Sequence, residues 1–162
     1  MKLLKNNITQ EDIQIVLDIY KKAKTDEYIS AYHGPDIDKL IHYSDIVYCD
    51  ISDPKLNLIA HKITGGSRQI YSIHIVTYKT GDKCDRHLDR SSNGTYITLL
   101  DNSFTGGALK VNDKVCELNT GDTAVFNGQR EYHEVSLVES GVRQVLVVWT
   151  GNRPSSNKST LI

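Results

Sequence analysis

The sequence is poor in cysteine, and the three cysteines that it has lie far apart. Cys49, Cys84 and Cys116 form no C-x-x-C pair, which argues against both a disulfide framework and a structural zinc site. No apolar run approaches the roughly 20 residues of a membrane span, and the N-terminus turns polar after two leucines, unlike a secretory signal. We therefore expect a soluble protein of a reducing compartment, the cytoplasm.

An excess of charge of one sign is also missing. The chain carries 19 basic and 20 acidic residues and a formal net charge of -1, so it lacks the positive field that sequence-independent nucleic-acid binding requires. The charge balance argues against a nucleic-acid partner, and nothing in the sequence indicates a membrane partner or an oligomeric state. Four basic residues could form either a local basic strip or an ordinary solvated loop: Lys79, Lys83, Arg86 and Arg90.

The length of 162 residues suits one domain with a core of its own. We predict a single domain over residues 1–153, made of a helical and mixed part over 1–69 and a β-rich core over 70–150. The polar end of the chain, 154–162, is expected to be a flexible tail.

Helices are predicted in the N-terminal part. Thr9 and Asp12 can form a capping box ahead of apolar residues at helical spacing. A second helix is predicted to begin after Ser52 or Asp53, where Pro54 suits the first turn, and to end at the two glycines 65 and 66. Between these helices, the pattern suggests a short helix near residues 36–43 and a strand over 45–51.

From Ile70 onward, short β-branched runs alternate with turn residues and predict seven or eight strands. The separators, "NSFTGG", "ND", "TGD" and "ESG", are too short for crossover helices, so the strands are expected to pair antiparallel. The predicted fold class is α+β: a jelly roll, or double-stranded β-helix, supported by N-terminal helices.

The stretch "DRHLD" places His87 and Asp89 two positions apart. Two imidazoles and one carboxylate on one side of an iron(II) ion leave its other positions open, and His133, which opens the predicted strand "HEV", is the candidate for the second imidazole. Alone, an H-x-D pair is more often a structural histidine–carboxylate contact. The other histidines, at positions 33, 42, 61 and 74, are expected to be surface or core residues.

Arg143 lies ten residues after His133, in the apolar run "GVRQVLVVW" and after the predicted "ESG" turn. A guanidinium facing the interior of a sandwich needs an anion as its partner, and it could bind a carboxylate bidentately. Strand alternation alone would equally allow Arg143 to face outward.

Together, the H-x-D pair, the distal histidine and the arginine ten residues later resemble the 2-oxoglutarate- and iron(II)-dependent dioxygenases. The resemblance covers roughly residues 71–150. Within that family, the stretches "YKTGDKCDRHLD", "LLDNSFTGGALKV" and "GVRQVLVVW" are most similar to prolyl hydroxylases. The oxygen-sensing branch of the prolyl hydroxylases is favoured by the arginine, the "HEV" stretch and Trp149.

The resemblance implies Fe(II) as the metal, 2-oxoglutarate and O2 as cosubstrates, and ascorbate as an optional reductant. It implies His87, Asp89 and His133 as the catalytic metal ligands. Arg143 would bind the distal carboxylate of 2-oxoglutarate, and Tyr78 would line the same pocket, although it could also be an ordinary strand tyrosine.

Two residues depart from the oxygen-sensing pattern. Leu99 stands where those enzymes carry a tyrosine that touches the cosubstrate, and Val147 stands where they carry a threonine. Both changes remove a hydroxyl from the pocket, so we expect either weaker cosubstrate affinity or support of the cosubstrate by Thr98 or Tyr96 instead.

The implied reaction is hydroxylation of a peptidyl proline in a proline-bearing or collagen-like protein substrate, with succinate and CO2 as coproducts. The loop from Thr80 and the segment 91–94 are expected to wall the substrate site. Two alternatives remain open from the sequence: an oxygenase acting on another residue or on nucleic acid, and a non-catalytic jelly roll that binds a metal or small ligand.

Overall fold

The computed structural model describes residues 1–25, 42–66, 68–90 and 93–151. The helix predicted near 36–43 lies almost entirely outside the described residues, apart from positions 42 and 43, which form a strand. The predicted tail over 154–162 and part of the predicted wall over 91–94 also lie outside them.

The described residues contain two helices, both begun by side-chain caps. Helix α1 (Gln10–Thr25) has the predicted capping box, since the Asp12 N–H donates to Thr9 Oγ1 and the Thr9 N–H donates to Asp12 Oδ2, each at 3.1 Å. Helix α2 (Pro54–Thr64) is capped by Asp53, whose carboxylate accepts the Leu56 N–H at 3.0 Å. Neither is long and apolar enough to cross a bilayer.

Twelve strands lie within the described residues: β1 (Lys2–Leu4), β2 (His42–Tyr43), β3 (Asp45–Tyr48), β4 (Gln69–Lys79), β5 (Lys83–His87), β6 (Gly94–Asp101), β7 (Phe104–Gly106), β8 (Leu109–Val111), β9 (Lys114–Cys116), β10 (Thr123–Phe126), β11 (His133–Val135) and β12 (Val138–Gly151). The larger sheet has the order β1-β10-β6-β12-β4-β3, with β7 also paired to β12, and the smaller has the order β2-β5-β11-β8-β9. The described pairings are all antiparallel, so the predicted jelly roll with supporting helices is confirmed.

The structure corrects the predicted strands in three places. Strand β5 occupies the polar stretch "KCDRH" that the sequence suggested as loop, because the backbones of β2 and β11 hold it from both sides. Strand β7 forms inside the predicted separator "NSFTGG". The "ESG" segment is not a turn, since β12 runs through it and Ser140 and Gly141 pair with β7.

Two apolar cores flank the larger sheet, and strand alternation decides which core each side chain enters. The outer core lies between this sheet and the helices and includes Ile13, Leu56, Ile75 and Leu146. The inner core lies between the two sheets and includes Val76, Tyr78, Leu99, Leu109, Val135, Val145 and Val147. Side chains at odd positions of β12 from 143 to 149 therefore face the space between the sheets.

Candidate metal centre and cosubstrate site

The structure brings His87, Asp89 and His133 together. His87 ends β5 and is the register partner of His133, which begins β11, and the two ring centroids lie 4.2 Å apart. Asp89 Oδ1 lies 3.4 Å from His87 Nε2 and 3.3 Å from His133 Nε2. One cation could therefore be bound by all three side chains.

Hydrogen bonds fix the orientation of both imidazoles. His87 Nδ1 lies 2.7 Å from the carbonyl oxygen of Asp85, and His133 Nδ1 lies 2.9 Å from that of Glu131. A carbonyl can only accept, so each Nδ1 carries the donated proton, and each Nε2 is left facing Asp89, where it can donate to the carboxylate or, once deprotonated, bind a metal. Metal-binding histidines are commonly oriented by such contacts.

The Asp89 carboxylate is held from its far side. Thr95 Oγ1, at the start of β6, donates to Asp89 Oδ2 at 3.2 Å, and the Asp89 N–H donates to the carbonyl of Gly128 at 2.8 Å. These contacts leave Oδ1 directed at the two imidazoles. The sequence had not singled out Thr95 or Gly128, because neither residue type indicates metal binding by itself.

The cluster has the electrostatic character of a cation site. Burial would raise the pKa of Asp89, but hydrogen bonds from His133 and His87 outweigh it and hold that pKa below its ordinary value. Burial would likewise lower the pKa of His87, but its contacts with Asp89 and Cys84 raise it to about 10. The ionised carboxylate between two nitrogen donors suits a divalent metal, and this donor set is typical of iron(II) oxygenases.

Arg143 faces the inner core, which settles the choice that strand alternation left open. Its side chain is 2% exposed, and its Nη1 has no hydrogen-bond partner among the described residues. None of the described carboxylates forms an ion pair with it. A buried guanidinium with an unsatisfied Nη1 and no ionic partner among the described residues is costly, so this position has the chemistry of an anion-binding site.

Tyr78 lies beside Arg143, as its register partner on β4. The Arg143 Cζ is 5.2 Å from the centroid of the Tyr78 ring, a cation–π contact. Burial raises the pKa of Tyr78 well above its ordinary value, so its hydroxyl stays neutral and can donate a hydrogen bond. The pairing of these two residues agrees with a shared carboxylate site.

Thr98 is not brought to this site. Its neighbours two positions away on β6, Tyr96 and Leu100, belong to the outer core, whereas Leu99 belongs to the inner core. Thr98 therefore faces the helix side, where its hydroxyl lies 2.7 Å from that of Thr123. The expectation that Thr98 or Tyr96 replaces a pocket hydroxyl is wrong for this geometry, because alternation turns both side chains away from Arg143.

The possible basic strip is largely neutralised. Lys79 is paired with Asp45 at 3.6 Å and Lys83 with Asp85 at 3.1 Å, and Arg86 forms an ion pair with Asp113. These contacts favour the solvated charged loop over a nucleic-acid surface.

The other histidines take ordinary positions where they are described. His61 is exposed on α2 and His74 is buried, 4% exposed. His33 lies outside the described residues, and His42 belongs to β2. None of the described ones joins the metal cluster.

Comparison with known proteins agrees with this geometry. The model of the 2OG-Fe(II) oxygenase superfamily matches residues 73–151, which run from β4 to the end of β12. No curated protein sequence is significantly similar to the chain.

Solved structures of prolyl hydroxylases share the fold at low sequence identity. A prolyl-4-hydroxylase from Pseudomonas putida has a TM-score of 0.72 and 17% identity, covering 94% of this chain and 92% of that one. A viral collagen prolyl hydroxylase from Paramecium bursaria Chlorella virus-1, in complex with 2-oxoglutarate, has a TM-score of 0.70 and 11% identity, covering 91% and 93%. A prolyl hydroxylase from Trichoplax adhaerens, bound to a hypoxia-inducible factor peptide fragment, has a TM-score of 0.70 and 15% identity, covering 99% and 86%.

The fold, the family match and the His-Asp-His cluster lead to one class of enzyme. The predicted Fe(II) and 2-oxoglutarate are the metal and cosubstrate of that class. This chain therefore matches the 2OG-Fe(II) oxygenase superfamily over residues 73–151, which supports a dioxygenase enzyme, and it has a prolyl hydroxylase-like fold.

Proposed function

We propose that this protein hydroxylates a proline residue in a peptide or protein substrate. In the proposed reaction, one oxygen atom of O2 enters the new C–OH group and the other enters succinate, while 2-oxoglutarate loses CO2. His87, Asp89 and His133 hold the iron, and Arg143 with Tyr78 binds the distal carboxylate of 2-oxoglutarate. Residues 1–153 act as one oxygenase domain.

The observation that carries this proposal is the placement of the Arg143 guanidinium, which has no ionic partner in the described part of the chain, opposite a metal-ligand cluster. His87 and His133 belong to the smaller sheet, while Arg143 projects from the larger sheet into the same interior. A dianionic cosubstrate with one end at the metal would bring its other carboxylate to the guanidinium. The charges also balance, because Arg143 offsets the negative charge left when Asp89 and 2-oxoglutarate surround a divalent ion.

The residues of the site have separable tasks. Iron, when bound with 2-oxoglutarate, supplies the oxidising power for insertion of oxygen into a C–H bond. The two histidines and Asp89 leave positions of the metal open for that chemistry. The buried interior excludes water, and Arg143 orients the cosubstrate through charge-assisted hydrogen bonds.

Support for proline as the target comes from the aromatic surface near the metal cluster. Trp149 faces the inner side of the larger sheet and is the register partner of Thr95, which contacts Asp89. The His74 ring meets Trp149 edge-on at 4.8 Å. Aromatic walls of this kind suit the ring of proline, and the three structural relatives are described as prolyl hydroxylases.

The test measures succinate formation by iron-loaded protein with and without proline-containing peptides, followed by mass spectrometry of the peptides. We expect one oxygen atom to be added to proline in step with succinate. Asp89→Ala should abolish both products and iron binding. Asp85→Asn is the matched control, since the Asp85 carboxylate pairs with Lys83 and its contact with His87 is made by the backbone carbonyl.

The outcomes distinguish the oxygenase activity, the choice of proline as substrate and the assignment of the metal ligands. Succinate without peptide oxidation would reject proline while retaining the oxygenase, and another residue or nucleic acid would then be examined as substrate. Iron binding without any succinate would contradict turnover and favour a non-catalytic binding module. Turnover by Asp89→Ala would contradict the ligand assignment.

We also propose that the protein acts in the cytoplasm. The three cysteines, all among the described residues, form no disulfide, and two of them are buried, as is usual in a reducing compartment. Localisation of a tagged full chain in intact cells tests this, and export to an oxidising compartment would contradict it.

A further inference from the structure

A cavity of about 260 Å³ lies beside Arg143, and we refer to it as the distal chamber. Its walls are residues 106–109 and 115–118 together with Leu99, Phe104 and Arg143. None of the three candidate metal ligands lines it, so its free volume lies at the Arg143 end of the proposed cosubstrate site. Its volume is far above the ~10–15 Å³ that one water needs, and it suits part of a small organic acid.

The chemistry of the distal chamber is apolar apart from the guanidinium and one exposed acid. Leu99, Leu109 and Leu118 supply aliphatic surface. Arg143 Nη1 is buried and has no hydrogen-bond partner among the described residues, and Glu117, the acid in the wall, forms no ion pair with it. This combination fits a carboxylate carried on methylene groups.

The backbone keeps the Arg143 stem in place beside the chamber. A Cβ on Gly107 would lie 3.1 Å from Arg143 Cδ and 3.0 Å from Val138 Cγ2, so the glycine leaves just enough room for the stem. Leu99 contributes no polar group that would occupy the space next to the guanidinium. A carboxylate at the guanidinium would therefore have the free volume of the chamber beside it, bounded by aliphatic side chains.

We propose that the distal chamber allows this enzyme to use a 2-oxo diacid one methylene longer than 2-oxoglutarate, namely 2-oxoadipate. The inference rests on the proposed binding of 2-oxoglutarate to Arg143. The added methylene would lie against Leu99 and Leu109, and the displaced carboxylate would still meet the guanidinium. A close-fitting pocket rejects one misplaced methylene by roughly 10–200-fold, so tolerance of the longer acid is a distinctive result.

The first experiment measures binding of both acids by calorimetry to anaerobic protein loaded with Mn²⁺, which does not support turnover. We expect the dissociation constants to agree within about tenfold, less than the discrimination of a close-fitting pocket. The second compares kcat/KM for decarboxylation of the two acids by the iron-loaded enzyme, and we expect the same agreement.

A variant that fills the distal chamber tests whether the chamber is the cause. Ala108 lines it, and its backbone is held by Ser136, through hydrogen bonds of 2.9 Å to Oγ and 3.0 Å from the Ser136 N–H. Ala108→Leu should therefore weaken 2-oxoadipate by at least about tenfold and leave 2-oxoglutarate within about twofold. Asn102→Leu, an exposed position outside the chamber, is the matched control.

The outcomes distinguish the two proposals. Normal binding of 2-oxoglutarate with strong rejection of 2-oxoadipate would overturn the inference and leave the proposed function intact. Equal loss of both acids in Ala108→Leu would also overturn it, because the chamber would then not discriminate by length. Failure of the Mn²⁺-loaded protein to bind either acid would overturn the proposed cosubstrate site and the inference with it.

Discussion

Gly128 lies so close to Asp89 that a Cβ on the glycine would be 2.2 Å from Asp89 Oδ2. The same Cβ would lie 2.6 Å from Thr95 Oγ1, the hydroxyl that donates to that oxygen. The backbone of the turn before β11 therefore forms one wall of the metal cluster. Gly128 belongs to none of the sequence motifs described above, yet it limits the positions that the Asp89 carboxylate can adopt.

Gly128→Ala should weaken metal binding, because the added methyl group must displace either the Asp89 carboxylate or the Thr95 hydroxyl. Loss of such a supporting contact typically weakens metal affinity by about 10–100-fold. Anaerobic titration with Fe²⁺ or Co²⁺ measures this. Arg130→Ala in the same turn is the control, and an unchanged affinity in Gly128→Ala would contradict the steric role.

Two threonines on β6 should behave differently because they face opposite sides of the sheet. Thr95→Val removes the donor to Asp89 and should weaken metal affinity by about tenfold. Thr98→Val removes the hydrogen bond with Thr123 and should cost on the order of 1 kcal/mol of unfolding free energy, with metal and 2-oxoglutarate affinities unchanged. Metal titration, calorimetry and urea unfolding separate the two, and a loss of cosubstrate binding in Thr98→Val would restore the residue to the pocket.

Arg143→Met should stabilise the ligand-free protein while removing cosubstrate binding. The guanidinium is buried without an ionic partner among the described residues, so an apolar side chain of similar length should raise the unfolding free energy by about 1–3 kcal/mol. Affinity for 2-oxoglutarate should fall at least about 100-fold with the lost charge-assisted hydrogen bonds. Urea unfolding and calorimetry report these separately, with Arg130→Met as control; a destabilised variant would indicate that Arg143 is compensated in the free protein.

Asp122 should make the protein sensitive to acid. Burial would raise its pKa, but hydrogen bonds from the backbones of Asn6 and Asn119 and from Lys5 outweigh it and lower that pKa below 3.8. Because the folded pKa is depressed, the stabilisation is present above pH 3.8 and is lost as the pH falls through the folded pKa.

Asp122→Asn tests this linkage. Near neutral pH the variant should be less stable by about 1–2 kcal/mol, a modest value because Lys5 is largely exposed. Unfolding curves from neutral pH to below pH 3 should show the difference shrinking as acid protonates the wild-type carboxylate. Asp18→Asn, an exposed acid on α1, is the control, and a difference that stays constant with pH would contradict the assignment.

The sequence predicted the fold well where local patterns and packing agree. Local sequence alone predicts the capping box of Thr9 and Asp12. It also predicts the β-branched strands β4, β6 and β12. Strand β5 is different: "KCDRH" is polar, and it becomes a strand only because distant backbones pair with it. Long-range pairing of this kind leaves no periodic signal in the stretch itself.

The candidate site likewise contains residues that the sequence indicates and residues that only the fold identifies. The metal-ligand candidates and Arg143 were found from residue type and spacing, and register then placed His87 opposite His133. The face of Thr98 could not be assigned without knowing which neighbours enter which core, since both faces of β6 are buried. Thr95 and Gly128 contribute through position alone, so no residue pattern could identify them.

The division of the site between two sheets has a mechanical consequence. The smaller sheet supplies both imidazoles, and the larger sheet supplies the guanidinium, so metal and cosubstrate bound together would act as a removable crosslink through the middle of the sandwich. Ligands that bind only the folded state raise its stability in proportion to their saturation. Binding of metal and cosubstrate should therefore make the local unfolding of one sheet dependent on the unfolding of the other.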